Sequence, residues 1–135
     1  MEERSIERGA GASFAAAWLP VLAYLGVIFW LSSIPHLHPP VQFNGADKVC
    51  HVLEYGGLGV LLARALRRST GLSWPVAVIV ATIILGSLAG AADERSQLNV
   101  PGRVCDVYDW MADTVGVSLG SLIYGGLLRS GWPWL

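Results

Sequence analysis

With 135 residues, 53% of them hydrophobic and only 14% charged, the chain is one domain by length and far more apolar than ordinary soluble proteins. Its formal net charge of -1 excludes the basic footprint of a nucleic-acid-binding protein. What remains is a small integral membrane protein, and its charges have to be explained in that setting.

In chain order, the first candidate span is the charge-free run Phe14 to Leu31. About 20 apolar residues cross a hydrocarbon core of roughly 30 Å. The preceding segment mixes Glu2, Glu3 and Glu7 with Arg4 and Arg8, and Ser32-Ser33-Ile34-Pro35 lacks a small-x-small cleavage pattern, so the run reads as a retained helix rather than a secretory signal. Pro35, Pro39 and Pro40 close it. Asn44-Gly45 is a turn pair before Asp47, an expected N-cap for a second helix over about Val49 to Leu66. Gly71 and Ser73 then lead into Trp74-Pro75, with Pro at a tolerated first-turn position of a third, charge-free span over Trp74 to Ala92. This helix is expected to end near Asp93 to Gln97. Pro101-Gly102 breaks the chain before a fourth span over Val107 to Leu128. The tryptophans at 18, 30, 74, 110, 132 and 134 fall mostly near span ends, as an aromatic belt requires.

These elements predict an all-α fold: a four-helix transmembrane bundle over residues 14–128, flanked by tails over 1–13 and 129–135. Six of the nine Lys and Arg (Arg4, Arg8, Arg64, Arg67, Arg68, Arg129) fall on the side of the termini, and three (Lys48, Arg95, Arg103) on the other. The positive-inside rule therefore places both termini in the cytoplasm and the remaining loops at the outer face. Arg64, Arg67 and Arg68 read as an anchor to anionic lipid head groups.

The second and fourth spans carry the informative residues. An ionisable side chain at mid-helix in hydrocarbon costs roughly 3 kcal/mol, so these groups must face one another or water. Asp47, His51 and Tyr55 are spaced by four and line one face of the second helix, with Glu54 beside them. Asp106, Asp109 and Asp113 share a face of the fourth. Gly116 and Gly120 extend that stripe as a small-x-x-x-small pair that lets another helix approach closely. The polar groups are thus expected at the mouth of a crevice floored by tight helix packing.

Taken in order, Asp47-Lys48-x-x-His51-x-x-x-Tyr55, Asp93-Glu94-x-x-Gln97, Gly102-Arg103 and an acidic fourth helix ending in Gly116-x-x-x-Gly120 resemble the VanZ-like membrane proteins over roughly residues 15–128. The resemblance implies a bacterial cytoplasmic-membrane protein of the cell envelope. The family is named for a protein linked to resistance to the glycopeptide teicoplanin. One position departs from the family pattern: where an Asn usually follows the fourth-helix Asp by four residues, this chain has Asp113.

From the residues themselves, three chemistries stay open. His51, Asp93, Glu94 and Asp109 offer one imidazole and three carboxylates, a set that suits zinc or manganese, although no local ligand signature such as His-Glu-x-x-His is present; His36 and His38 read as solvated loop histidines. Alternatively, Glu94 and His51 act as base and acid, with Asp93 and Asp109 beside them. In that reading Asp47, Lys48, Tyr55, Gln97, Arg103, Asp106 and Asp113 bind the polar head of a lipid-linked or cell-wall-associated molecule, Lys48 and Arg103 gripping a phosphate or carboxylate. The third reading is structural glue, with Lys48–Asp109 and Glu94–Arg103 as ion pairs. Membrane lipids and a lipid-linked envelope precursor are the expected partners, oligomerisation is allowed, and the cofactor is left unassigned. A small proton-coupled transporter and a non-catalytic interaction module are the competing functions. Cys50 and Cys105 flank the motif blocks and permit either a disulfide or two free thiols.

Overall fold

The computed structural model describes residues 2–41, 43–70 and 75–130, and the described residues form four α-helices and no strand. These are α1 (Glu2–Ser32), α2 (Ala46–Thr70), α3 (Pro75–Gln97) and α4 (Val107–Arg129). Each contains a segment long and apolar enough to cross a membrane: Phe14–Ser32, Ala46–Thr70, Val76–Gln97 and Val107–Arg129. The four expected spans are therefore all present as helices, and α1 continues back to Glu2 through the segment read as a tail. Gly71, Ser73, Trp74, Trp132 and Trp134, used above as boundary and belt residues, lie outside the described residues.

Burial runs opposite to that of a soluble bundle. Leu19, Leu22, Leu53, Val76, Leu88, Val115 and Ile123 are exposed, whereas Asp93, Glu94, Gln97, Asp109 and Asp113 are buried. Lipid tails are as apolar as Leu, so such a bundle gains nothing from hiding its aliphatic side chains and is held by close packing and interhelical polar contacts. Trp30 and Trp110, by contrast with half-buried Trp18, are exposed at the end of the bundle that carries the motifs.

The closest packing runs along the α2–α4 seam. A Cβ at Gly116 would meet the Val52 carbonyl oxygen at 2.5 Å, one at Gly59 would meet the Val117 carbonyl oxygen at 2.5 Å, and one at Gly120 would collide with the Gly56 backbone. Glycine on both sides is what lets the two backbones touch, as the Gly116/Gly120 stripe led one to expect. Tyr55, Leu58 and Leu62 of α2 then pack with Val117 and with Ala17, Val21 and Ile28 of α1. At the opposite end Ala63 and Leu66 meet Val78 and Tyr124.

Two boundaries differ from the expectation. The second helix begins at Ala46, so Asp47 lies in its first turn rather than at the cap; Gly45, at φ 86°, precedes the helix and its carbonyl accepts from the Val49 amide. Asp106, grouped above with the α4 stripe, is the N-cap of that helix, its carboxylate accepting from the Tyr108 amide at 2.9 Å. In both cases a short polar side chain competes for the backbone donors at a helix start, which fixes the position only to within a residue or two from sequence.

Candidate functional site

The up-and-down course of the chain brings the C-terminal ends of α1 and α3 and the N-terminal ends of α2 and α4 to one end of the bundle. Seven of the chain's ten acidic residues gather there: Asp47, Glu54, Asp93, Glu94, Asp106, Asp109 and Asp113. Asp47, Asp106 and Asp109 lie at helix N-termini, where the unpaired amides and helix dipole favour negative charge.

Lys48 is the hub at the rim. Its Nζ donates to Asp109 at 2.7 Å, to Asp47 at 3.1 Å and to Asp106 at 3.2 Å, tying the starts of α2 and α4 together. The Tyr108 amide, and after it Lys48, hold the exposed Asp106 carboxyl below its ordinary value.

One turn deeper, His51 Nδ1 bonds Asp113 at 2.8 Å, while Nε2 faces Asp109 Oδ2 at 3.9 Å. Asp113 is fully buried, and its other oxygen packs against Gly90 of α3, where a Cβ would lie 2.8 Å away. The helix start of α4 is joined to α3 by Glu94, which accepts from Gln97 Nε2 at 3.2 Å and from the Asp106 amide at 2.9 Å. His51, Glu94 and Asp109 thereby come together, with a ligand atom of each within 4.8 Å of the others.

Asp93 faces α1 instead, accepting from Ser32 Oγ at 2.7 Å. Its second oxygen and the hydroxyl of fully buried Tyr55 have no hydrogen-bond partner among the described residues. Arg103 donates from Nε to the Ile34 carbonyl at 3.3 Å and from Nη2 to the Leu31 carbonyl at 3.0 Å, so it caps the end of α1. Of the two ion pairs considered from sequence, Lys48–Asp109 forms, whereas among the described residues Arg103 makes none with Glu94. Cys50 and Cys105 are free thiols.

A cavity of about 1090 Å³ opens over this cluster. The α1–α2 loop lines it with Leu37, Pro39, Pro40, Val41 and Phe43 together with His38 and Asn44, and the rest of its lining includes His51, Glu54, Gln97, Arg103 and Asp109. The loop is pinned to the α3–α4 connection where the His36 ring packs on Gly102, whose φ of 76° and lack of a Cβ both suit the contact. Ser32 and Gly90 belong to this site and were not legible as such: a serine ending an apolar run and a glycine inside one carry no signal of what they will touch.

Comparison with curated proteins and with solved structures finds no match. A family model described as VanZ/LLP1 matches residues 18–129, which takes in most of the first span, the other three spans whole and every residue of the cluster. The chain belongs to the VanZ/LLP1 family.

Proposed function

We propose that the protein acts at the bacterial cell envelope, in the cytoplasmic membrane with both termini inside, and that its polar cavity receives the head group of a lipid-linked or cell-wall-associated molecule at the outer face. One observation carries the reading: a single cavity is lined both by apolar side chains of the α1–α2 loop, among them Leu37, Val41 and Phe43, and by the ionisable His51, Glu54 and Asp109. Such a mixed lining matches a molecule that is apolar at one end and polar at the other. Lowered susceptibility to teicoplanin is the physiological outcome that the family name suggests.

Proton-coupled transport fits less well. Below Asp113 the α2–α4 seam closes on Gly56, Gly59, Gly116 and Gly120. A transporter site is expected near mid-depth with access to both sides.

The test is binding in a bilayer disc: the full chain is titrated with a polyprenyl-diphosphate-linked sugar and, separately, with the polyprenyl chain alone. The reading expects saturable binding of the first that Glu94→Gln weakens. Equal binding of both, or of neither, would overturn it.

A further inference from the structure

We infer that His51, Glu94 and Asp109 form a binding site for a divalent first-row cation such as zinc, through which the acidic cavity accepts a phosphorylated head group. The second half of this inference rests on the function proposed above; the first does not.

The donor set is chemically apt. Imidazole nitrogen and carboxylate oxygen are both zinc ligands, and three protein ligands leave a further position open. Metal bonds of about 2.0–2.2 Å put ligand atoms roughly 3–4 Å apart, and here they already lie within 4.8 Å of one another, His51 Nε2 and Asp109 Oδ2 at 3.9 Å.

Each of the three ligands is also held from behind. Asp113 takes His51 Nδ1, which directs Nε2 towards Asp109 and leaves it free to coordinate. Lys48 binds Asp109 Oδ1, and Oδ2 remains on the His51 side. Gln97 and the Asp106 amide fix the two oxygens of Glu94. Outer partners of this kind set ligand orientation at metal sites.

A second observation concerns buried polar groups beside the three ligands. Tyr55 follows His51 by one turn on the same face of α2. Among the described residues the Tyr55 hydroxyl has no hydrogen-bond partner in a residue with 0% exposure, and neither has Asp93 Oδ1 in a residue with 1%. Buried polar atoms are nearly always paired. A cation with its bound water supplies a partner for such groups.

Charge supplies the link to the substrate. Lys48 is engaged by three carboxylates and Arg103 by two carbonyls, so the site's basic groups are already committed. A phosphate entering a cavity with seven nearby acids needs a positive centre. A divalent ion held by His51, Glu94 and Asp109 is one.

The experiment uses the full chain in detergent, stripped with chelator and titrated with Zn²⁺ by equilibrium dialysis and elemental analysis. The inference expects one zinc per chain, with affinity lowered roughly tenfold or more by Asp109→Asn and by His51→Gln, and unchanged in the Cys50→Ser/Cys105→Ser protein. Helical circular dichroism verifies folding; should either variant unfold, the visible spectrum of the Co²⁺-loaded wild type decides, with nitrogen and oxygen ligation supporting the site and thiolate charge-transfer bands overturning it. Absence of stoichiometric binding, or binding indifferent to the ligand variants, would also overturn it. Head-group binding that survives full metal removal contradicts the bridging role while leaving the proposed function intact, whereas zinc binding without any head-group binding does the reverse.

Discussion

His51 of α2 and Asp113 of α4 meet at 2.8 Å, through an imidazole Nδ1 and a carboxylate oxygen that solvent does not reach. The pair joins the two most closely packed helices directly above their glycine seam, so it fixes the imidazole and the interhelical register at once.

Removing Asp113 should separate those two roles. Asp113→Ala leaves the imidazole without its buried partner and is expected to destabilise the protein by about 3–5 kcal/mol, read as a loss of thermal stability in detergent. Asp113→Asn keeps a hydrogen-bonding group at the position and should retain the fold while lowering metal affinity about 10–100-fold. If the Asn protein were as unstable as the Ala protein, charge rather than orientation would be the contribution of Asp113.

The glycine seam gives a steric prediction. Gly120→Val places side-chain atoms where the Gly56 backbone lies, and backbone has no rotamer to escape into. A loss of about 1–3 kcal/mol is expected. Gly126→Ala, whose Cβ meets nothing within 4 Å, should be tolerated. Comparable melting curves for the two variants would contradict the seam.

Arg103 is expected to behave as a helix cap. Arg103→Met removes two charge-assisted bonds to the end of α1 and should cost about 2–3 kcal/mol. Arg103→Lys should rescue little, because a point charge does not reproduce a planar fork spanning the Leu31 and Ile34 carbonyls. Full rescue by Lys would show that Arg103 acts through charge alone.

Acid should loosen the rim in a way that one residue reports. Asp106 is held below its ordinary value in the fold, so its contribution to stability is present at neutral pH and above the unfolded value of about 3.9. That contribution is lost as pH falls through the lower folded value. Asn is an equally good N-cap, so Asp106→Asn should preserve α4 and show a smaller acid-induced drop in thermal stability than wild type. An unchanged drop would place the acid sensitivity elsewhere in the cluster.

The fold was largely legible from hydropathy, because a helix that crosses a membrane must be long and apolar whatever it packs against. The apolar runs from Phe14 and Val107 marked α1 and α4, and the Gly116/Gly120 spacing anticipated the close face of α4. Placing Asp47, His51 and Tyr55 on one face of α2, and Asp109 and Asp113 on one face of α4, also followed from helical periodicity alone. Partnerships were harder. That Asp113 rather than Asp109 would take His51 Nδ1, that Asp93 would turn to Ser32, and that Arg103 would serve α1 all depend on how the helices rotate against one another. Helix rotation is set by contacts such as Gly90 against Asp113, which one strand of sequence does not encode locally. The loop staple of His36 on Gly102 was missed for the same reason: it joins residues far apart in sequence through a ring and a missing Cβ.

The central claim is that the buried polar cluster, not the bundle as a whole, carries the activity. Teicoplanin susceptibility tests it most directly, measured in a sensitive bacterial host that expresses wild type or Glu94→Gln, with membrane levels of both quantified. The account expects protection from wild type and none from an equal amount of the variant, since Glu94 joins α3 to the start of α4 and faces His51. Equal protection by both proteins would contradict it.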